Sequence, residues 1–287
     1  MKPSSKAGRP VVWAAGLCVV LTACGAASAP PPAPSRALPG AITRAAGPHA
    51  SVEVQSSAAA ADRYARLVRS AVQDAYDALA GRSAITTPDV TVEVVADESS
   101  LETALGASPG TFRGVEATST AAPGETAPRV WVDAAAMGRL TAQGRRIVLT
   151  HEATHVLTGV VGNAAMPLWL VEGFADYVAL RNVHKPLSVT AGRILAEVRR
   201  QGAPSHLPLR ADFDAAQATG GSIYTAEYEA SWLACRLLAQ RGGERSLVRL
   251  YVKVRDGATT ADALPELFGL TLTRFTHLWQ TYLRTSS

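Results

Sequence analysis

Apolar side chains recur at helical spacing along much of the chain, most regularly after residue 140. In residues 61–79 they return every three or four positions, which predicts an amphipathic helix. The same period predicts further helices over residues 141–158, 168–180, 190–200, 224–240, 245–255, 261–267 and 272–283. Gly159 directly follows the first of these and Pro167 precedes the second, as is typical of helix ends.

The region between residues 90 and 132 shows a different, shorter period. Residues 90–95, Val-Thr-Val-Glu-Val-Val, alternate as a β-strand does. A short helix is predicted over residues 99–105, followed by extended runs over 111–117 and 129–132. The turn-rich sequence Ala-Ala-Pro-Gly at 121–124 lies between those runs and indicates a hairpin. The pattern predicts an α+β fold, with N-terminal helices and a small mixed or antiparallel sheet followed by a mainly helical half.

The first 23 residues predict an export signal. Lys2, Lys6 and Arg9 precede an apolar run of 13 residues, 11–23, which is shorter than the ~20 that span a bilayer. The run leads into Leu-Thr-Ala-Cys at 21–24, which resembles the bacterial lipobox and implies a lipid on Cys24. We expect a lipoprotein on the outer face of the bacterial cell membrane. A secreted protein without the lipid and an uncleaved membrane anchor are the alternatives.

Removing the signal changes the charge balance. The chain has 28 basic and 24 acidic side chains, and the signal contains three of the basic ones and no acid, which leaves 25 against 24. This balance gives no support for nucleic-acid binding. Residues 24–58, rich in Pro, Ala and Ser, predict a disordered tether. We expect one domain over 59–287, with an α/β part over 59–140 and a helical part over 141–287.

Candidate chemistry lies in the sequence His-Glu-Ala-Thr-His at 151–155. Residues four apart share one face of a helix, so the imidazoles of His151 and His155 can reach one metal ion at ~2.0 Å. Glu152 lies beside the first histidine, where it can take a proton from water that attacks a carbonyl. The alternative is a helix that carries two structural histidines.

A second segment, Glu-Gly-Phe-Ala-Asp-Tyr at 172–177, follows the motif after a short connection. Glu172 lies among apolar residues, where a carboxylate needs a partner such as a metal ion. Together the two segments resemble the gluzincin metallopeptidases of the thermolysin superfamily, over roughly residues 140–285. The connection is shorter than in the best-known members of that group. Gly173 either permits close packing of the two helices or is an ordinary helix glycine.

This resemblance implies a zincin-like fold and one Zn²⁺ ion bound by His151, His155 and Glu172, with Glu152 as general base. It also implies that Asp176, one turn beyond Glu172, accepts the second N–H of His151. The alternative for Asp176 is a solvated surface carboxylate.

The resemblance also implies a tyrosine near the start of the helix 224–240, whose phenol would donate a hydrogen bond to the oxyanion of the reaction. Tyr228 is the first choice and Tyr224 the second, and for each the alternative is an aromatic core residue. His206 is a further candidate for the same role, but its loop sequence favours a position facing solvent.

The function expected from these residues is hydrolysis of a peptide bond in a peptide or protein substrate. Two alternatives stay open: a metallopeptidase-like surface protein that only binds, and a zinc hydrolase of another amide, such as a cell-wall linkage. The presence of Glu152 favours catalysis over binding, because a structural zinc site needs no base and usually has four protein ligands.

Overall fold

The computed structural model describes residues 40–79, 83–218 and 225–287. The expected signal segment, the proposed lipid site at Cys24 and the second-choice Tyr224 lie outside these ranges. None of the helices within them combines the length and the apolar character that a membrane span requires.

Five strands of the described chain form one mixed sheet, in the order β1-β2-β3-β5-β4. The strands are β1 Ile42–Gly47, β2 Ala50–Val54, β3 Val90–Val95, β4 Ala117–Thr120 and β5 Arg129–Asp133. The inner strands β2, β3 and β5 run parallel, and the edge strands β1 and β4 pair antiparallel to their neighbours. This sheet and the helical half that follows confirm the predicted α+β fold class.

The sheet begins inside the segment that composition predicted to be a disordered tether. β1 and β2 occupy most of residues 42–54, and Val52 and Val54 are buried against the core. The prediction was wrong there because strand pairing uses backbone groups, which overall composition does not reveal. The folded domain therefore extends to about residue 40 and does not begin at 59.

The second predicted extended run also differs from the structure. Residues 111–114 form turns, with Gly110 and Gly114 at positive φ, and the strand comes later, over Ala117–Thr120. The predicted hairpin is confirmed, because β4 and β5 pair antiparallel with Ala117 opposite Val132 and Thr120 opposite Arg129.

The helices match the apolar pattern closely, with a few differences. They are α1 Ala58–Leu79, α2 Glu98–Leu105, α3 Ala134–Gly138, α4 Ala142–Thr158, α5 Leu168–Leu180, α6 Leu187–Thr190, α7 Gly192–Gln201, α8 Arg210–Ala218, α9 Ala226–Arg255, α10 Thr260–Phe268 and α11 Leu272–Ser286. The pattern missed α3, α6 and α8, which are short. It divided α9 in two at the place where Gly243 leaves the helical conformation, with φ 80° and ψ 156°.

Helix α4 lies at the centre of the molecule. It packs on α1, α5 and strands β4 and β5, and α5 in turn packs along α9. Val92 and Val94 of β3 belong to the large core that these helices share with the sheet. Val95 and Trp131 belong to a second apolar cluster, which contains residues of α2, α8 and α9.

Glu229 in α9 is a buried carboxylate that holds the start of α7. Its Oε2 accepts the backbone N–H groups of Arg193 and Ile194, at 2.8 and 2.9 Å. Burial raises the pKa of Glu229 to about 7, although those N–H groups and the Arg193 guanidinium act in the opposite direction. The folded state therefore binds this proton more tightly than the unfolded chain does.

We expect Glu229→Gln to flatten the pH dependence of stability. In the wild type, tighter proton binding by the folded state makes the free energy of unfolding fall as the pH rises from 4.5 to about 7. Glutamine does not titrate but keeps an oxygen for both N–H groups, so the variant loses up to about 1.4 kcal/mol per pH unit of that slope. Urea unfolding across this pH window measures it. If the free energy of unfolding depended on pH in the same way in both proteins, the assignment of this titration to Glu229 would be wrong.

Candidate metal centre

Helix α4 is buried on all sides after its first turns. The Thr141 hydroxyl accepts the N–H of Gly144 at its start, and Gly159 ends it with φ 65°. Every residue from 147 to 158 is buried. The threonines within this stretch have partners among backbone carbonyls, because Thr154 and Thr158 each donate to the carbonyl one turn earlier, at 2.7 Å, and Thr150 donates to the carbonyl of Ala71, at 3.3 Å. The polar side chains that remain are those of the His-Glu-x-x-His motif.

Helix α5 places Glu172 and Asp176 one turn apart on a face that meets α4. Gly173, between them, lies against α9, where an added Cβ would be 2.3 Å from the carbonyl oxygen of Ser231. The glycine therefore permits close packing of α5 on α9, and the prediction that it would do so on the motif helix was wrong. This close approach fixes the distance between α5 and α9.

Three donor atoms from α4 and α5 converge on one point. The Nε2 atoms of His151 and His155 are 2.9 Å apart, and the Oε2 atom of Glu172 lies 3.1 and 3.5 Å from them. A tetrahedral ion with bonds of ~2.0–2.1 Å separates its ligand atoms by ~3.3 Å. The three residues can therefore hold a metal ion, and they are the one group of this kind within the described ranges.

Several polar atoms at this point have no hydrogen-bond partner in the described chain. They are Oε1 of Glu152, Nδ1 of His155, Oε1 of Glu172 and Oδ2 of Asp176. A buried carboxylate oxygen without a partner is costly, and a bound cation offsets that cost. The donor set thus fits a divalent ion better than it fits a purely structural cluster.

The charged side chains of this cluster strongly change one another's pKa values. Burial opposes protonation of His151, but Asp176 and Glu172 beside it raise its pKa well above the ordinary value. Burial likewise opposes ionisation of Glu172, yet His155 and His151 bring its pKa down to about 2. Burial raises the pKa of Glu152 and of Asp176. A divalent cation would supply the positive charge in place of the imidazole proton.

Asp176 contacts the first histidine of the motif. Its Oδ1 lies 2.9 Å from Nδ1 of His151, and both side chains are buried. With Nδ1 donating to this carboxylate, the Nε2 of His151 is left to face the other two donor atoms. Asp176 is 1% exposed, so the alternative of a solvated aspartate is wrong.

Glu152 is held by a residue that the sequence did not single out. The hydroxyl of Ser119, on edge strand β4, lies 2.6 Å from Oε2 of Glu152 and 3.0 Å from its backbone oxygen. Ser119 can donate to the carboxylate and so orients it, while Oε1 stays without a partner. Ser119 and Glu152 are 33 positions apart in the sequence, and only the packing of β4 against α4 brings them together.

Tyr228 lies close to the three donors. Its ring centroid is 6.5 Å from that of His151, and the ring is buried. His206 is half exposed, with Nδ1 near the carbonyl of Leu207 and the carboxylate of Asp212. The structure therefore places the ring of Tyr228 beside His151, within the second apolar cluster, and leaves His206 on its loop.

The centre is enclosed. The side chains of His151 and His155 have no exposed surface, and Glu172 is 1% exposed. Phe213 of α8 packs edge-to-face on Tyr228, with ring centroids 5.1 Å apart, and both belong to the second apolar cluster. Access to the three donor atoms therefore requires a local opening of the structure.

No protein-family model matches the sequence, and no curated protein matches it. A functional assignment therefore rests on the geometry of this centre and on the motifs that form it.

Proposed function

We propose that this protein is a zinc-dependent hydrolase of peptide bonds, of the gluzincin type. The observation that carries the proposal is the convergence of two imidazole nitrogens and one carboxylate oxygen beside a separate glutamate, Glu152, that is not one of the three. Two histidines and a glutamate are the ligands of catalytic zinc in the thermolysin type of site, which keeps a position open for water.

His151, His155 and Glu172 would hold the zinc ion. When bound, zinc polarises the substrate carbonyl and makes water a stronger nucleophile. Glu152 then accepts the proton of the attacking water on Oε1, since Ser119 occupies Oε2. The same carboxyl group delivers the proton to the leaving amine. Asp176 keeps Nε2 of His151 directed at the ion, and Tyr228 is the candidate donor to the oxyanion.

The location of the activity is part of the proposal. The export signal and the lipobox-like sequence that ends at Cys24 support a protein anchored by lipid to the outer face of the bacterial membrane. Its substrate would be a peptide or protein of the cell envelope or its surroundings, and the chain gives no support for nucleic acid as a partner.

A peptide-library assay with measured zinc content tests the proposal. We expect one zinc per chain, cleavage of library peptides, loss of both on chelation, and recovery when zinc is added back. Zinc binding without cleavage of any peptide would favour the binding-protein alternative, unless non-peptide amides are cleaved, which would favour the other hydrolase. Failure to bind zinc would exclude both hydrolases and leave a surface protein with a binding role.

A further inference from the structure

A second cavity, of about 580 Å³, lies between α1, α3 and the first turn of α4. Its volume falls within the ~300–1,000 Å³ of small-ligand sites. It is lined by none of the residues of the metal centre. We call it the arginine groove, after Arg63, Arg66 and Arg145, whose side chains line it.

The charge of the arginine groove is entirely positive. Arg63 and Arg66 lie three positions apart on α1 and so share a face, and Arg145 enters from α4. No carboxylate is among the lining residues. Within the described ranges, Arg63 and Arg66 form no ion pair or hydrogen bond, and Arg145 donates to the carbonyl of Leu140 at 2.6 Å. Three guanidinium groups thus surround one cavity without an anion to neutralise them.

The acids nearby are engaged elsewhere. Asp62 pairs with Arg44 at 3.1 Å, and Asp74 pairs with Arg146. Asp133 accepts the N–H of Ala136 at 2.9 Å and thereby caps α3. Two of these carboxylates are thus neutralised by arginines outside the groove, and the third is bound by a backbone N–H and does not line the groove.

The groove also offers neutral hydrogen-bond donors. The hydroxyls of Tyr64 and Ser70 line it, and neither makes a hydrogen bond within the described part of the chain. Burial raises the pKa of Tyr64, and although Arg63 and Arg145 act against this, the phenol stays protonated. Ala142, in the first turn of α4, also lines the groove, so the positive end of that helix dipole points the same way.

We propose that the arginine groove binds a phosphate-bearing ligand. Guanidinium groups present paired N–H donors that match the oxygens of phosphate, and several of them together match a group with more than one negative charge. A single carboxylate would neutralise only one of the three. The phosphate can come from a soluble phosphate ester or from the headgroup of an anionic lipid, and both sources present the same chemistry.

The test compares the full wild-type chain with Arg63→Gln/Arg66→Gln. The matched control is Arg113→Gln/Arg274→Gln, which removes two exposed arginines that lie outside the groove. Pyrophosphate binding is followed by titration calorimetry. Sedimentation with phosphatidylglycerol vesicles, compared with phosphatidylcholine vesicles, tests the lipid source. Binding through the N-terminal segment is common to all three proteins, and the phosphatidylcholine vesicles measure it separately.

We expect the double variant to bind at least about tenfold more weakly than the wild type and the control, and salt to weaken binding. Arg66→Lys keeps the charge but loses the paired donors, so its affinity should lie between those of the wild type and the double variant. Arginine-dependent binding of pyrophosphate would identify a soluble ligand, and such binding of phosphatidylglycerol vesicles alone would identify a lipid. Equal binding by the wild type and the double variant, or no binding to either probe, would overturn the proposal. Unchanged zinc content and unfolding midpoint confirm that the variants are folded.

Discussion

Glu152→Gln is expected to keep its zinc and to lose hydrolysis by about 10²–10⁴-fold in kcat. Glutamine has the shape of glutamate, and its carbonyl oxygen can still accept the hydroxyl of Ser119. It cannot take a proton from water at neutral pH, so the chemical step alone is lost. Zinc content by mass spectrometry and peptide cleavage by the same samples give the two readouts.

Glu172→Ala serves as the comparison, because it should lose the metal ion as well as the activity. Its loss removes one of the three donor atoms, so zinc is lost first and activity with it. A Glu152→Gln protein with wild-type cleavage would remove this residue from the mechanism. A Glu172→Ala protein that keeps its zinc would instead show that the ligand set is different.

Gly173→Ala is expected to destabilise the protein by about 3 kcal/mol or more and to weaken zinc binding. The new Cβ would lie 2.3 Å from the carbonyl oxygen and 2.5 Å from the carbonyl carbon of Ser231, so the backbones of α5 and α9 must separate. Any such movement also displaces Glu172, the adjacent residue. Thermal unfolding and a zinc-competition titration measure the two effects.

The control for this variant is Gly192→Ala at the start of α7. An added Cβ there has no heavy atom within 4 Å, so its effect on the midpoint of unfolding should be small. If the two variants unfolded at the same temperature, the close approach of α5 to α9 would not limit stability.

The parts of this protein that local sequence governs were predictable. Helix α5 has the predicted bounds, and α4 begins one residue after its prediction, because apolar spacing and end signals such as Gly159 act over a few residues. Helical spacing puts His151 with His155 on one face of α4, and Glu172 with Asp176 on one face of α5. The packing of these two helices against each other depends on tertiary structure and was not predictable from local spacing.

The parts that depend on distant contacts were not predictable. β1 and β2 lie in a segment of tether-like composition, and they are strands because backbone groups pair across the sheet. Ser119 sits between two threonines in a strand of four residues, so its contact with Glu152 has no local signature. The neighbour of Gly173 belongs to α9, far along the chain.

The enclosure of the metal centre has a kinetic consequence. An ion held by fully buried donors can exchange with solvent only when the protein opens, so the opening rate sets an upper limit on how fast it leaves. Inactivation by a chelator should then speed up at low chelator concentration and level off at high concentration. In the proposed hydrolase, the opening that admits a substrate would also determine how long a bound ion is kept.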